Sequence, residues 1–178
     1  MTKKDDFIFK GLNVIAWIIF VGLCIEAGAL VVNFVYSIFK PEIIHNLYQK
    51  LDLSDMYHRS QFAYYGVYSF ILVISIMKAY LFYIVINLLL KLDLKSPFNH
   101  FVSEQIMKIS QYTFYIGILS YIAKETVKNL QHHGFNIDGV NKFWGDSQAF
   151  ILMAAIIYII ALIFKKGIEI QQENDLTI

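Results

Sequence analysis

The fold of this chain is decided by residues 11–39, which read GLNVIAWIIFVGLCIEAGALVVNFVYSIF. At ~1.5 Å per residue, a helix of this length exceeds the ~30 Å hydrocarbon core of a bilayer. The run is too long for the apolar part of a signal peptide, and no clear small-residue cleavage site follows it. We therefore expect it to be retained as a membrane-spanning helix.

Three further apolar segments follow it, at residues 62–90, 107–123 and 147–164, and the third of the four spans is the least hydrophobic. Apolar residues make up 57% of the chain and charged residues only 16%, well outside the usage of soluble domains. The sequence therefore predicts one all-α domain, an antiparallel up-down four-helix bundle in the membrane. A helical tail over residues 165–178 completes it.

The connectors between the spans carry their own patterns. Residues 41–61 contain apolar side chains at helical spacing, which predicts a short helix on the membrane surface. In the second connector Ser96 and Pro97 fit the cap and first position of a helix, and with Phe98 they predict an interfacial elbow. Residues 124–146 are rich in polar and turn-compatible side chains, which favours a loop.

Stripes of small and polar residues in three spans predict the packed faces, because membrane helices associate through such residues. The stripes are Gly11, Ile15, Ile18, Gly22, Glu26, Ala29 and Asn33; Ser110, Thr113, Gly117, Ser120 and Lys124; and Ser147, Ile151, Ala154, Tyr158 and Ala161.

Basic residues beside the spans predict the orientation. Eight lie on the side of the termini and six on the opposite side. The two sets are Lys3, Lys4, Lys10, Lys91, Lys95, Lys108, Lys165 and Lys166, against Lys40, Lys50, Arg59, Lys124, Lys128 and Lys142. The positive-inside rule then places both termini of a multi-pass cell-membrane protein in the cytoplasm.

Two charges fall inside the predicted spans, Glu26 in the first and Lys78 in the second. Each costs ~2.5 to 3.5 kcal/mol at a helix centre, so a mutual ion pair is the least costly arrangement. Asn33 is a candidate extension of that pair. Two interpretations stay open: a pair that fixes the register of two helices, and a proton, ion or polar-ligand site.

Several classes of function are disfavoured. A net charge of +1 argues against direct nucleic-acid binding, and Cys24 is the only cysteine. The chain has no nucleophile elbow, no phosphate-binding glycine loop and no HExxH motif, and its histidines lack zinc-site spacing. The sequence therefore predicts no enzymatic activity, no cofactor and no metal site.

The C-terminal run FKKGIEIQQENDLTI, residues 164–178, resembles the signature of domain-of-unknown-function family 2975, small bacterial four-span membrane proteins. In this chain Ile170 and Gln172 replace the Leu and Glu usual in the family. The elbow at Pro97 and Phe98 is similar to a Pro-Phe elbow of the same family.

The resemblance implies no established activity, but genes of the family often lie beside one for a small helix-turn-helix regulator. It therefore suggests a membrane protein whose cytoplasmic face binds a soluble transcription regulator. The matching surface would be the elbow together with the tail residues Lys165, Lys166, Glu169, Glu173, Asn174 and Asp175.

Our leading hypothesis is a non-enzymatic regulatory or accessory membrane protein of this kind. The alternative is a small oligomeric transporter or channel in which Glu26 and Lys78 line a polar path through several copies. A bundle that only scaffolds another membrane complex is a third interpretation. Membrane lipid is expected around the spans in every case.

Overall fold

The computed structural model describes residues 3–93 and 97–175, with side chains described over 7–93 and 97–174. The described chain is helical, and four of its helices are long. These are α1 (Lys3–Phe39), α3 (Gln61–Lys91), α4 (His100–His132) and α6 (Ser147–Asp175). Shorter pieces join them: two 3-10 turns at Pro41–Asn46 and Tyr48–Lys50, α2 (Ser54–Arg59) and α5 (Asn141–Trp144).

The starts of α3 and α4 follow from side-chain caps. Ser60 accepts a 3.3 Å hydrogen bond from the backbone N–H of Ala63, and Asn99 Oδ1 accepts one of 2.9 Å from Val102. The prediction that α4 begins at Pro97 is therefore wrong, because the cap lies two residues later and Pro97 precedes the helix. Ser96 lies outside the described residues.

The long helices lie side by side in chain order and run antiparallel. The contacts that fix their register are Phe34–Tyr68 and Phe20–Tyr83 between α1 and α3, Tyr80–Tyr112 between α3 and α4, and Ser110–Ala154 between α4 and α6. Each long helix therefore packs against its neighbours in chain order, and the most extensive contact is that between α4 and α6.

The row of helices is open rather than closed into a bundle. Within the described parts of the chain, α1 and α6 share no extended contact. Both helices instead expose large apolar side chains, such as Ile18 at 67% and Leu152 at 65%. Nothing drives two apolar faces together in lipid, so the described helices form an open row, and the predicted antiparallel up-down four-helix bundle is not confirmed.

The stripes of small residues are packed in two helices and not in the third. Ser110, Thr113, Gly117 and Ser120 of α4 are buried, as are Ser147, Ala154 and Ala161 of α6, although Lys124 and Tyr158 are exposed. In α1 the prediction is wrong: Gly11 and Gly22 are exposed and have no neighbour within 4 Å of an added Cβ. The face of α1 that packs on α3 carries Ala16, Ala27 and Leu30.

The first and third connectors fold together into one structure, which we name the cap (residues 41–60 and 133–146). Its apolar residues join the main hydrophobic core, and they are Ile44, Leu47, Leu51, Leu53, Met56, Ile137, Val140, Phe143 and Trp144. The apolar side chains of residues 41–61 thus face the protein. The connector contains a short helix, α2, after two 3-10 turns, but its apolar residues pack on the core instead of lying on a membrane surface as predicted. The third connector is also shorter than predicted, because α4 continues to His132.

Polar contacts hold the two halves of the cap together. The Arg59 guanidinium donates to the carbonyls of His133, at 3.3 Å, and of Gly134, and it lies 4.3 Å from the centre of the Phe135 ring. Asp55 Oδ2 accepts a 2.9 Å hydrogen bond from the backbone of Asn136. The cap therefore joins residues on either side of the α3–α4 hairpin.

Candidate functional site

The elbow and the tail meet at the end of the helix row opposite the cap. The Phe98 ring packs on α6, with its centre 5.2 Å from that of Phe164. A Cβ added to Gly167 would lie 2.8 Å from Phe98 Cδ1, so a glycine is what allows the ring to sit this close. Two sequence stretches that are far apart in the chain thus form one surface, which we name the elbow–tail face (Phe98, His100, Phe164, Gly167 and residues 168–174).

A cleft of about 360 Å³ opens on this face between the first turns of α4 and the last turns of α6. Its lining is His100, Ser103, Glu104, Met107, Lys108, Gln111, Lys165, Ile168, Glu169 and Gln172. At its outer end Gln172 Nε2 lies 3.2 Å from His100 Nε2, which ties α6 to α4. The cleft therefore carries charges of both signs above an apolar floor.

The predicted tail residues are divided between the outer surface of α6 and the cleft, which Lys165 and Glu169 line. Lys166 pairs with Glu169 at 2.6 Å, one turn apart, whereas Lys165 points into the cleft. Glu173 and Asn174 are exposed, and the side chain of Asp175 lies outside the described residues, as do residues 176–178. The tail's role in partner binding stays a prediction, and Glu169 and Glu173 keep carboxylates on its surface.

The charges inside the spans are arranged differently from the prediction. Lys78 Nζ donates a 2.7 Å hydrogen bond to the backbone carbonyl of Phe143 in α5. Glu26 is within electrostatic range of both Lys78 and Lys142 but forms no ion-pair contact among the described residues. The expected direct Glu26–Lys78 pair is thus corrected to a longer-range attraction beneath the cap.

Local helix ends explain this arrangement. α5 has only four residues, so the carbonyl of Phe143 finds no partner within its own helix, and a charged donor satisfies it well. The hydrogen bond from Lys78 therefore attaches the cap to the middle of α3. Asn33 does not extend the pair, because its amide donates to the carbonyl of Ala29 in its own helix at 2.8 Å.

Two features of the structure were not predicted from the sequence. The α4–α6 cleft needs the register of two helices, and no local pattern encodes that register. The pairing of Arg59 with residues 133–135 joins positions about 75 residues apart, and the only local signal was an arginine at the end of a connector. Among the described residues, no group of three or more His, Cys, Asp or Glu side chains is arranged to hold a metal ion.

The architecture defines the class of this protein, which is all-helical and of membrane type. Three of its described helical segments are long and apolar enough to cross a bilayer, namely Phe7–Phe39, Gln61–Lys91 and Asn141–Asn174. The chain belongs to the family described as protein of unknown function DUF2975, whose model matches residues 46–178. No curated protein and no solved structure matches the chain.

Proposed function

We propose that this chain is a non-enzymatic regulatory or accessory membrane protein whose elbow–tail face binds a soluble partner in the cytoplasm. The observation that carries the proposal is the packing of Phe98 against Phe164 and Gly167. This contact gathers the elbow and the tail into one surface. The partner we propose is a small helix-turn-helix transcription regulator.

A fourth crossing by α4 is part of the proposal, and the cap supports it. Arg59 lies just before α3, and Gly134 lies just after α4, yet the two are hydrogen-bonded. This contact supports placing both ends of the α3–α4 hairpin on one side of the membrane. If α3 crosses the bilayer, α4 has to return through it.

The side chains of α4 agree with a lipid environment. Its exposed middle carries Phe114, Tyr115, Ile118 and Ile122, whereas Ser110, Thr113 and Ser120 are buried. Ser110 Oγ, for example, donates to the carbonyl of Ala154 in α6 at 2.9 Å. Inward polar groups lower the mean hydropathy of the helix without touching lipid, which explains why α4 is less apolar than the other three.

The proposed orientation brings the elbow–tail face to the cytosol. With four crossings, both termini share the side that carries the larger number of basic residues, which the positive-inside rule assigns to the cytoplasm. The carboxylates of Glu169 and Glu173 then complement a basic DNA-recognition surface. A regulator held in this way would be unavailable to DNA phosphates.

The test is recovery of the regulator encoded beside the gene on the full-length protein in mild detergent. We expect loss of recovery on deletion of residues 169–178 and strong reduction by Phe98→Ala. Phe114→Ala is the matched control, because the two rings are equally exposed. Phe98 lies just before α4 and is 42% exposed, and Phe114 lies within α4 and is 43% exposed. Equal recovery of the regulator by the wild-type protein, the deletion and both substituted proteins would refute the proposal.

A further inference from the structure

The cleft of the elbow–tail face continues toward the membrane interior. A second cleft of about 380 Å³ lies between α4 and α6 and is lined by Phe114, Tyr115, Ile151, Ala155 and Tyr158, among others. Gln111 lines both clefts, so the two adjoin. Together they form one groove, charged at the end near the tail and apolar at the other, which we name the α4–α6 groove.

The charged end of the groove has basic groups on both walls. Lys108 projects from α4 and Lys165 from α6, and both are exposed. Neither forms an ion-pair contact with a described residue. Each has a carboxylate one turn away that lines the same cleft, Glu104 beside Lys108 and Glu169 beside Lys165, and the Glu169 carboxylate is paired with Lys166. Two lysines facing one cleft at headgroup depth are complementary to a phosphate, and basic pockets between membrane helices commonly receive lipid headgroups.

The polarity of the groove changes along its length as it does in a phospholipid. One to two turns below Lys108 the walls become aromatic and aliphatic, and Ala154 and Ala155 leave the space that a chain would fill. Glu104 lies one turn above Lys108, on the water side, where the terminal group of a headgroup would extend. A carboxylate there favours a headgroup with a primary ammonium over one without a positive charge.

We infer that the α4–α6 groove is a phospholipid site that selects phosphatidylethanolamine, with the phosphate between Lys108 and Lys165 and an acyl chain over Ala155. The ammonium of the headgroup is held by Glu104. This inference does not depend on the soluble partner, since the purified membrane protein alone suffices to test it.

The experiment measures lipid binding to the delipidated full-length protein in detergent by native mass spectrometry. The probes are phosphatidylethanolamine, phosphatidylglycerol with the same chains, and glycerophosphoethanolamine, which has the headgroup but no chains. We expect tight binding of the first, weaker binding of the second and none of the third. Binding of glycerophosphoethanolamine as tight as that of the lipid would overturn the assignment to a lipid.

Variants separate the phosphate contacts from nonspecific charge. Lys108→Gln and Lys165→Gln should each weaken phosphatidylethanolamine binding about fivefold, the effect of one basic residue at a membrane surface. Lys91→Gln is the control, because Lys91 lies at the same end of the helix row, over the Phe101 ring at 5.0 Å, and lines neither cleft. Unchanged affinity in both groove variants, or an equal loss in the control, would refute the phosphate site.

Two further variants test the chain and the headgroup. Ala155→Leu should fill the apolar end and weaken binding of both lipids, whereas Glu104→Gln should remove the preference for phosphatidylethanolamine over phosphatidylglycerol. Lys108→Arg should retain binding, which shows that the losses do not come from misfolding. A wild-type protein that binds both lipids equally, with no change in Glu104→Gln, would contradict the headgroup assignment.

Discussion

Lys78 extends from the middle of α3 to the carbonyl of Phe143. The sequence alone predicted that Lys78 needs a partner, but not which partner it takes. That a charge in a predicted span needs a partner follows from the cost of burying it. Which partner it takes depends on α5, a four-residue helix that no periodic pattern indicates. Glu26 was the only opposite charge visible in the neighbouring span, so the sequence could not identify a backbone acceptor.

The first prediction distinguishes the two partners of Lys78. Lys78→Met should cost about 1–3 kcal/mol of unfolding free energy, because it leaves a buried carbonyl without a donor. Glu26→Gln should cost less than about 1 kcal/mol, because Glu26 attracts Lys78 only at longer range. Thermal or denaturant unfolding in mild detergent measures both. Similar large losses in the two variants would restore the direct ion pair.

Asp52 gives a pH-dependent prediction in the cap. Its Oδ1 accepts hydrogen bonds from Ser54 Oγ at 2.6 Å and from the Ser54 backbone at 2.9 Å, and these bonds hold the pKa of Asp52 below its usual value. A lowered pKa in the folded state contributes stability above the unfolded pKa of about 3.9, and this stability is lost as pH falls through the folded value.

The expected effect is small, because Asp52 is exposed. Asp52→Asn should lower the unfolding midpoint slightly at pH 7, by a free energy of at most about 1 kcal/mol, and should have no effect near pH 2. Unfolding curves of both proteins at several pH values provide the measurement. A difference between them that stays constant down to pH 2 would contradict the assignment.

At the scale of the elements, the faces of α4 and α6 were predictable from sequence and that of α1 was not. In α4 and α6 the small and polar residues lie on the packed side, as expected for helices in lipid. In α1 the glycines face outward, and Ala16 and Ala27 provide the close approach to α3 instead. A periodic pattern gives the spacing of a packed face, but two such patterns one residue apart cannot be ranked without the neighbouring helix.

Two glycines provide a matched test of this difference. A Cβ added to Gly117 would lie 2.7 Å from Ile151 Cγ1 and 3.1 Å from the Ile151 backbone nitrogen, whereas Gly22 has nothing within 4 Å. Gly117→Ala should therefore destabilise the protein by about 1–3 kcal/mol, the usual cost of overpacking. Gly22→Ala should be neutral or stabilising by up to ~1 kcal/mol, because alanine favours a helix.

Unfolding in detergent compares the two variants under the same conditions. A loss in Gly22→Ala as large as that in Gly117→Ala would indicate that the exposed face of α1 is packed, for instance against a second copy of the chain.

At the scale of the whole molecule, the number of crossings can be tested through the cap. In a Cys24→Ser background, single cysteines at Glu42, Asn136 and Gln171 probe the two cap connectors and the tail, and all three positions are exposed. With four crossings and cytoplasmic termini, a membrane-impermeant maleimide should label the first two in intact cells and the third only after permeabilisation. Labelling of positions 42 and 136 from opposite sides would exclude a crossing by α4.

The open row of helices has a consequence for biosynthesis. α3 packs on α1, α4 on α3 and α6 on α4, so each long helix after α1 leaves the ribosome when the helix it packs on has already been synthesised. Such a chain can assemble one helical hairpin at a time, because each long helix packs on a helix that is its neighbour in the sequence. The cap cannot form until both of its halves have been synthesised, because they are separated in the sequence by the α3–α4 hairpin. Its closure should therefore be among the last events of folding, when residues 133–146 reach Arg59.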